Sequence, residues 1–169
     1  MYGDEVELLV NGRSLGRRPV GVDHRFRTEF DTAYESGELL VVAYRDGAET
    51  GRHTLRSATG PVGLRAEAER SVITANGGDL AYIALTLTDT VGTLHTAADR
   101  PVRPDVSGPG VLLGFGSADP STEERFDATE RRTYEGRALS VLRPTGPGKI
   151  RLLASAPECN PAEVVVTVE

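Results

Sequence analysis

Three histidines and one cysteine are the first residues to test for chemistry: His24, His53, His95 and Cys159. No two of them stand at a metal-ligand spacing, and isolated histidines read as surface or structural groups. A lone cysteine forms no intrachain disulfide and no CxxC zinc site. Cys159 lies in the turn-like stretch Ala156-Pro-Glu-Cys-Asn-Pro161, and no activating base is evident beside it, as a thiol nucleophile requires. Carboxylates are plentiful, and two close sets could mimic a glycosidase pair: Glu67 with Glu69, and Glu123 with Glu124. Such a pair must face across a sugar-binding cleft at roughly 5–10 Å. These four fall on strand faces or in a polar loop, where charged side chains are normally solvated. Asp79 and Asp89 flank one apolar strand. Calcium takes 6–8 oxygens, so the two aspartates read better as turn caps. The expectation is a chain with no catalytic, cofactor-binding or metal-binding residues.

The glycine-rich stretch Val106-Ser-Gly-Pro-Gly-Val-Leu-Leu-Gly-Phe-Gly-Ser-Ala-Asp-Pro120 invites a phosphate-binding assignment. Gly108, Gly110 and Gly114 miss the G-x-G-x-x-G spacing by one residue, and no helix follows. Ser117 is not in a nucleophile elbow, because Phe115 and Asp119 occupy the glycine positions. Structure explains the stretch better. Glycine permits positive φ and proline fixes φ, which predicts a tight turn at Gly108-Pro109-Gly110 with positive φ at Gly110. A short buried strand, Val111 to Leu113, is expected to follow, and then a broad loop around Asp119-Pro120.

Composition narrows the function classes. The chain has 169 residues, 38% hydrophobic and 26% charged, with a net charge of -6. That length allows one large or two small domains. The acidic balance argues against non-specific nucleic-acid binding, which needs Lys and Arg against phosphates. Lys149 is the only lysine, a compositional bias of GC-rich coding DNA. Aromatics are 5% with no Trp, which weakens a sugar-stacking role. No run approaches the ~18 apolar residues of a membrane span, so no membrane partner is expected. The first residues, Met1-Tyr-Gly-Asp-Glu-Val, lack a signal peptide's basic region and apolar core, and they run straight into a strand. They read as the start of a piece cut from a longer protein, with its compartment open: bacterial cytoplasm, or secreted with that protein.

The apolar pattern is that of strands. Val6, Leu8 and Val10 alternate with Glu5, Glu7 and Leu9, the period of a half-buried strand. Asn11-Gly12 is a type I′ hairpin signal, and Asp46-Gly47 is another turn. Further strands are expected at 13–18, 25–31, 39–44 and 54–57, about five in all against roughly seven in an immunoglobulin-like sandwich. The 25–31 strand would set Phe26, Thr28 and Phe30 on one face. Thr59-Gly60-Pro61 combines two breakers and marks a boundary. Beyond it, strands are expected at 63–69, 71–74, 80–89, 101–107, 138–142, 150–154 and 164–168. Pro101 and Pro104 suit an edge strand, and no amphipathic helix is evident. The expectation is all-β: two consecutive immunoglobulin-like β-sandwich domains, 1–58 and 62–169, the first short or truncated. Without a preceding neighbour, the strand at 6–10 would leave an open edge, and residues 1–58 would either self-associate through it or be less stable than 62–169.

Two stretches carry a family resemblance. Glu5-Val-Glu-Leu-Leu-Val-Asn-Gly-Arg-Ser-Leu-Gly16 resembles the penultimate domain of glycoside hydrolase family 2 enzymes. Val106 to Pro120, continued through Ser121, Glu124 and Phe126, resembles the last domain of the β-galactosidase-like members. The two occur in the family's order and cover nearly the whole chain. One departure is Gly116-Ser117-Ala118-Asp119-Pro120, where the family has Gly-Asn-Gly-Asp/Asn-Pro. The resemblance implies a parent that hydrolyses terminal β-linked sugars through two glutamates on a barrel. That barrel is missing here, so this chain would buttress it, shape one rim of its active site or mediate oligomer contacts. On that view Asn11, Gly12, Gly108, Pro109, Gly110, Asp119 and Pro120 are structural turn residues. The rival class is an autonomous carbohydrate-binding or adhesion module, with Tyr82, Phe115, Tyr134 and the Asp119 loop as candidate contacts.

Overall fold

A computed structural model describes residues 3–169, so Met1 and Tyr2, part of the expected truncated start, lie outside the described residues. The chain divides into two compact units, 1–57 and 58–169. Among the described residues, no helix is long and apolar enough to cross a membrane.

The first unit holds four strands, β1 (Glu5–Val10), β2 (Arg13–Pro19), β3 (Glu38–Arg45) and β4 (Ala48–Arg56), in the sheet order β2-β1-β3-β4. All pairings are antiparallel. Asn11 and Gly12 have φ of 50° and 79°, and Asp46 and Gly47 repeat the same values. Both turns therefore have the two left-handed residues of type I′, whose twist matches the flanking strands. Leu8, Val10 and Ala43 are buried on one face of the sheet, as the alternation predicts.

Two expectations for this unit are corrected. Strand β1 is not an edge: β2 returns beside it through the Asn11-Gly12 turn, and β3 pairs along its other side. The sheet's edges are β2 and β4, which carry arginine, glutamate and proline, residues that discourage edge pairing. Residues 25–31 form no strand. A single 3-10 turn, Val22–His24, is followed by Arg25 and Phe26 with φ of 54° and 56°. Two successive left-handed residues break an extended run, and Phe26 is exposed rather than aligned with Phe30.

The second unit is a two-sheet β-sandwich. Its strands are β5 (Gly63–Ala68), β6 (Val72–Ile73), β7 (Ala81–Thr88), β8 (Pro101–Ser107), β9 (Gly110–Gly116), β10 (Arg131–Arg132), β11 (Arg137–Pro144), β12 (Gly148–Ser155) and β13 (Ala162–Val168). One sheet runs β10-β8-β12-β13-β6 and the other β5-β7-β11-β9. Alternate residues of each strand face inward, so Ile83 and Leu85 of β7 join Ile150 and Leu152 of β12, with Phe115, Leu142 and Val166, in one core. Each such side chain contributes roughly 1.5–3 kcal/mol when fully buried. The all-β architecture read from the sequence is that of the structure, with the two-sheet sandwich in the second unit and a single four-stranded sheet in the short first one.

Ser140 is the exception in that core. It faces inward from β11 with no exposed surface, and its Oγ has no hydrogen-bond partner. A buried hydroxyl without a partner costs roughly 1–3 kcal/mol. Ser140→Ala is therefore expected to stabilise the second unit by about 1 kcal/mol, measured as a higher denaturant midpoint at constant slope.

Candidate interaction surface

The turn residues singled out from the sequence take distinct positions. Asn11 does more than supply left-handed geometry. Its Oδ1 accepts from the Glu38 amide at 2.8 Å, and its Nδ2 donates to the Ser36 carbonyl at 3.2 Å, tying the first hairpin to the start of β3. Gly108 has φ of 88°, and a Cβ there would lie 2.2 Å from the Lys149 carbonyl oxygen. The Thr145 amide donates to the Pro109 carbonyl at 2.9 Å. Gly110 corrects the expectation, because its φ is not positive. It is needed for a different reason: a Cβ would meet Ile150 Cδ1 at 2.5 Å, and Ile150 is fully buried. Asp119 accepts from the Ser121 amide at 2.9 Å and from its hydroxyl at 2.8 Å. These bonds hold its carboxyl below the usual range, the amide having the larger effect, and fix the turn through Pro120.

Asp79 and Asp89 cap turns through named donors. Asp79 accepts from Arg70 and from the Thr74 amide at 3.0 Å. Asp89 is buried and accepts from the amides of Thr93 at 2.8 Å, Val91 at 3.0 Å and Thr59 at 3.2 Å. Burial alone pushes its carboxyl up, but the Thr93, Thr59 and Val91 amides together outweigh burial and hold it low. A group whose folded-state pKa is depressed stabilises above its unfolded pKa, and the effect is lost as pH falls through the folded value. The melting temperature of the wild type should therefore fall on acidification below the usual aspartate range, and Asp89→Asn should flatten that limb of the profile. Equal slopes in the two proteins would contradict this role.

Of the carboxylate sets considered for hydrolysis, Glu67 and Glu69 line a shallow depression of about 340 Å³ beside Tyr82 and Leu139, and Glu123 and Glu124 are exposed in the loop after β9. Glu67 pairs with Arg65 at 3.3 Å on an exposed strand face, and Glu124 pairs with Arg131 at 3.7 Å. His24 and His53 are exposed. The half-buried Cys159 donates its thiol to the Val62 carbonyl at 3.5 Å. Among the described residues, no three His, Cys, Asp or Glu side chains gather to hold a metal.

The glycine-rich stretch instead builds a surface. The run Val111 to Leu113 is not buried: β9 is an edge strand, and Val111 and Leu113 are exposed. Leu113 is an extra residue in the register between Val141↔Gly114 and Leu142↔Leu112, a bulge that separates it from strict alternation. Phe115 points into the core, 1% exposed, and Leu112 packs against that core from the same strand, so the Phe115 ring cannot be a ligand contact. Tyr82 is partly exposed on the outer face, and Tyr134 is half-buried beside β11.

Phe126 takes the place that sequence reasoning gave to Phe115. Its carbonyl accepts the Phe115 amide at 2.7 Å, which draws the 117–130 loop along the β9 edge. Its ring lies over Gly116, where a Cβ would sit 3.0 Å from the ring, yet it stays 68% exposed. Arg131 anchors the loop from beneath. It is fully buried, donates to the Glu124 carbonyl at 2.5 Å, and stands 5.0 Å from the Phe126 ring centroid. Phe126 thus walls a groove of about 580 Å³ on the outer face of the β5-β7-β11-β9 sheet, floored by Gly114, Gly116, Leu139 and Val141. Thr86, Ser117 and Arg137 are the polar side chains that line it. A sugar carries a hydroxyl on most of its carbons, and each needs a hydrogen-bond partner when buried, so this lining suits an apolar occupant better.

Comparison with known proteins agrees with this architecture. Residues 64–165 match the model of the glycoside hydrolase family 2 C-terminal domain 5. Residues 2–51 match a domain family of unknown function, DUF4982. The chain is 31% identical to the β-galactosidase BoGH2A of Bacteroides ovatus, over 98% of this chain and 20% of that protein. It is 29% identical to a putative β-glucuronidase of Formosa agariphila, over 96% of this chain and 15% of that one. The crystal structure of a family 2 glycosyl hydrolase from Bacteroides cellulosilyticus superposes with a TM-score of 0.92 at 33% identity, covering 99% of this chain and 22% of that one. The chain spans about a fifth of the length of such relatives, and its described residues contain strands but no β/α barrel. It belongs to glycoside hydrolase family 2, as a non-catalytic C-terminal region.

Proposed function

We propose that this region serves a longer β-galactosidase-like enzyme by supporting its catalytic barrel. The observation that carries this is the mismatch in coverage: almost all of this chain aligns, with only about a fifth of each relative. The parent would hydrolyse terminal β-linked sugars through two glutamates supplied elsewhere in its sequence. The two compact units act as consecutive domains, 1–58 and 62–169, the second with its own two-sheet core. The turns at Asn11-Gly12, Gly108-Pro109-Gly110 and Asp119-Pro120 set the strand connections and carry no chemistry.

The chain as purified is expected to show no turnover of nitrophenyl β-galactoside, β-glucuronide or β-glucoside. Turnover that survives purification and vanishes on replacing one carboxylate would overturn the proposal, because it would place catalysis within these 169 residues.

A further inference from the structure

We propose that the outer face of the β5-β7-β11-β9 sheet is where this region seats against the part of the parent polypeptide that precedes it. This rests on the function proposed above, and it names the surface through which that function works.

The two outer faces of the sandwich differ in chemistry. On the β8-β12-β13 side the outward residues are mostly charged, Arg103, Asp105, Lys149, Arg151 and Glu163 around the exposed Leu153 and Val165, with Arg151 and Glu163 paired at 2.8 Å. That is the composition of a solvated face. On the other side, Ala84 of β7, Leu139 and Val141 of β11 and the Phe126 ring form a continuous apolar strip. Contiguous exposed apolar surface marks an interaction site. Gly114 and Gly116 leave the strip concave, so it accepts a projecting side chain rather than a flat surface.

Charge selects the occupant. Arg137 and Arg143 share this outer face and form no ion pair among the described residues. The carboxylates of this face, Glu67 and Glu69, lie at its β5 side, where Glu67 pairs with Arg65 at 3.3 Å. An apolar ridge flanked by a carboxylate fits the strip and the two arginines beside it. The relatives, about five times as long as this chain, supply ample preceding polypeptide to carry one.

The test compares thiol accessibility in two settings, with the native thiol removed by Cys159→Ser. Leu139→Cys is placed on the proposed face and Arg151→Cys on the opposite face, in both the 169-residue chain and the full-length parent polypeptide. Maleimide labelling at position 139 is expected to be at least tenfold slower in the full-length protein than in the chain, and labelling at position 151 equally fast in both. Adding Arg137→Glu to the full-length protein should speed labelling at position 139. Ala84→Cys gives the same readout from β7 should the Leu139→Cys variant not fold. Equal labelling at position 139 in both settings would overturn this inference and leave the proposed function standing. Concentration-dependent protection in the chain alone would overturn it in favour of a second copy. A gene that encodes no longer polypeptide would overturn both proposals together.

Discussion

Gly110→Val is expected to destabilise the second unit by about 3 kcal/mol or more, at the upper end of overpacking costs. The Cβ alone would lie 2.5 Å from Ile150 Cδ1 and 2.8 Å from its Cγ1. Ile150 has no exposed surface and sits among Leu142, Leu152 and Val166, so it has no free volume into which to turn. Close-packed interiors transmit such a clash rather than absorb it. Valine also adds two methyl groups beyond the Cβ. For a unit of this size the melting temperature should fall by on the order of 10 °C. Gly146→Ala is the matched control, since a Cβ there meets nothing within 4 Å and φ is not positive. Equal melting temperatures for Gly110→Val and wild type would mean that β9 and β12 do not approach as described.

Gly37→Ala should cost the first unit about 3 kcal/mol. Gly37 has φ of 136°, and a Cβ there would fall 1.9 Å from Asn11 Oδ1. The Asn11 side chain must then leave, and its bonds to Glu38 and Ser36 go with it. Each lost bond is worth about 1 kcal/mol, and a β-carbon at that φ adds strain of roughly the same size. Asn11→Gly keeps the left-handed turn while removing the side chain, so it isolates the two bonds. The double variant should be less destabilised than the sum of the singles by about 1–2 kcal/mol, because the clash partner is gone. Simple additivity in a double-mutant cycle would show that the two residues do not touch.

How far the sequence reached depended on the range of the interaction. Asn11-Gly12 and Asp46-Gly47 were legible because a type I′ turn is decided by its own two residues. The alternation Ile83, Leu85, Leu87 was legible because every one of them faces inward. The Val111 to Leu113 run was misread as buried because hydrophobicity shows the residues and not their neighbours. A bulge at Leu113 and an edge position leave two of them exposed. Residues 25–31 alternate convincingly, yet the left-handed pair Arg25 and Phe26 ends any strand before it starts. Gly110 was singled out for a positive φ that it does not have, and its contact with Ile150 spans forty residues and leaves no local trace.

The interaction surface was the least legible part. Phe115 and Phe126 are both aromatic residues near the glycine-rich loop, and only the tertiary path of residues 117–130 decides which is buried. The signal that could have separated them is context. Phe115 sits between two glycines within a strand, while Phe126 lies among charged residues in a polar loop. The family resemblance was legible because both its stretches are turn-rich. Turns tolerate few residue types, so they keep a recognisable pattern at the 31% identity that separates this chain from a β-galactosidase.

The central claim is that these 169 residues work as the C-terminal part of a larger glycosidase. Antibodies raised against the purified chain test it directly, by blotting an extract of the source cells and identifying the captured protein by peptide mass. A species several times the mass of this chain is expected, with peptides from a preceding barrel domain and β-glycosidase activity in the immunoprecipitate. A stable species of only 169 residues, with no larger form, would contradict it.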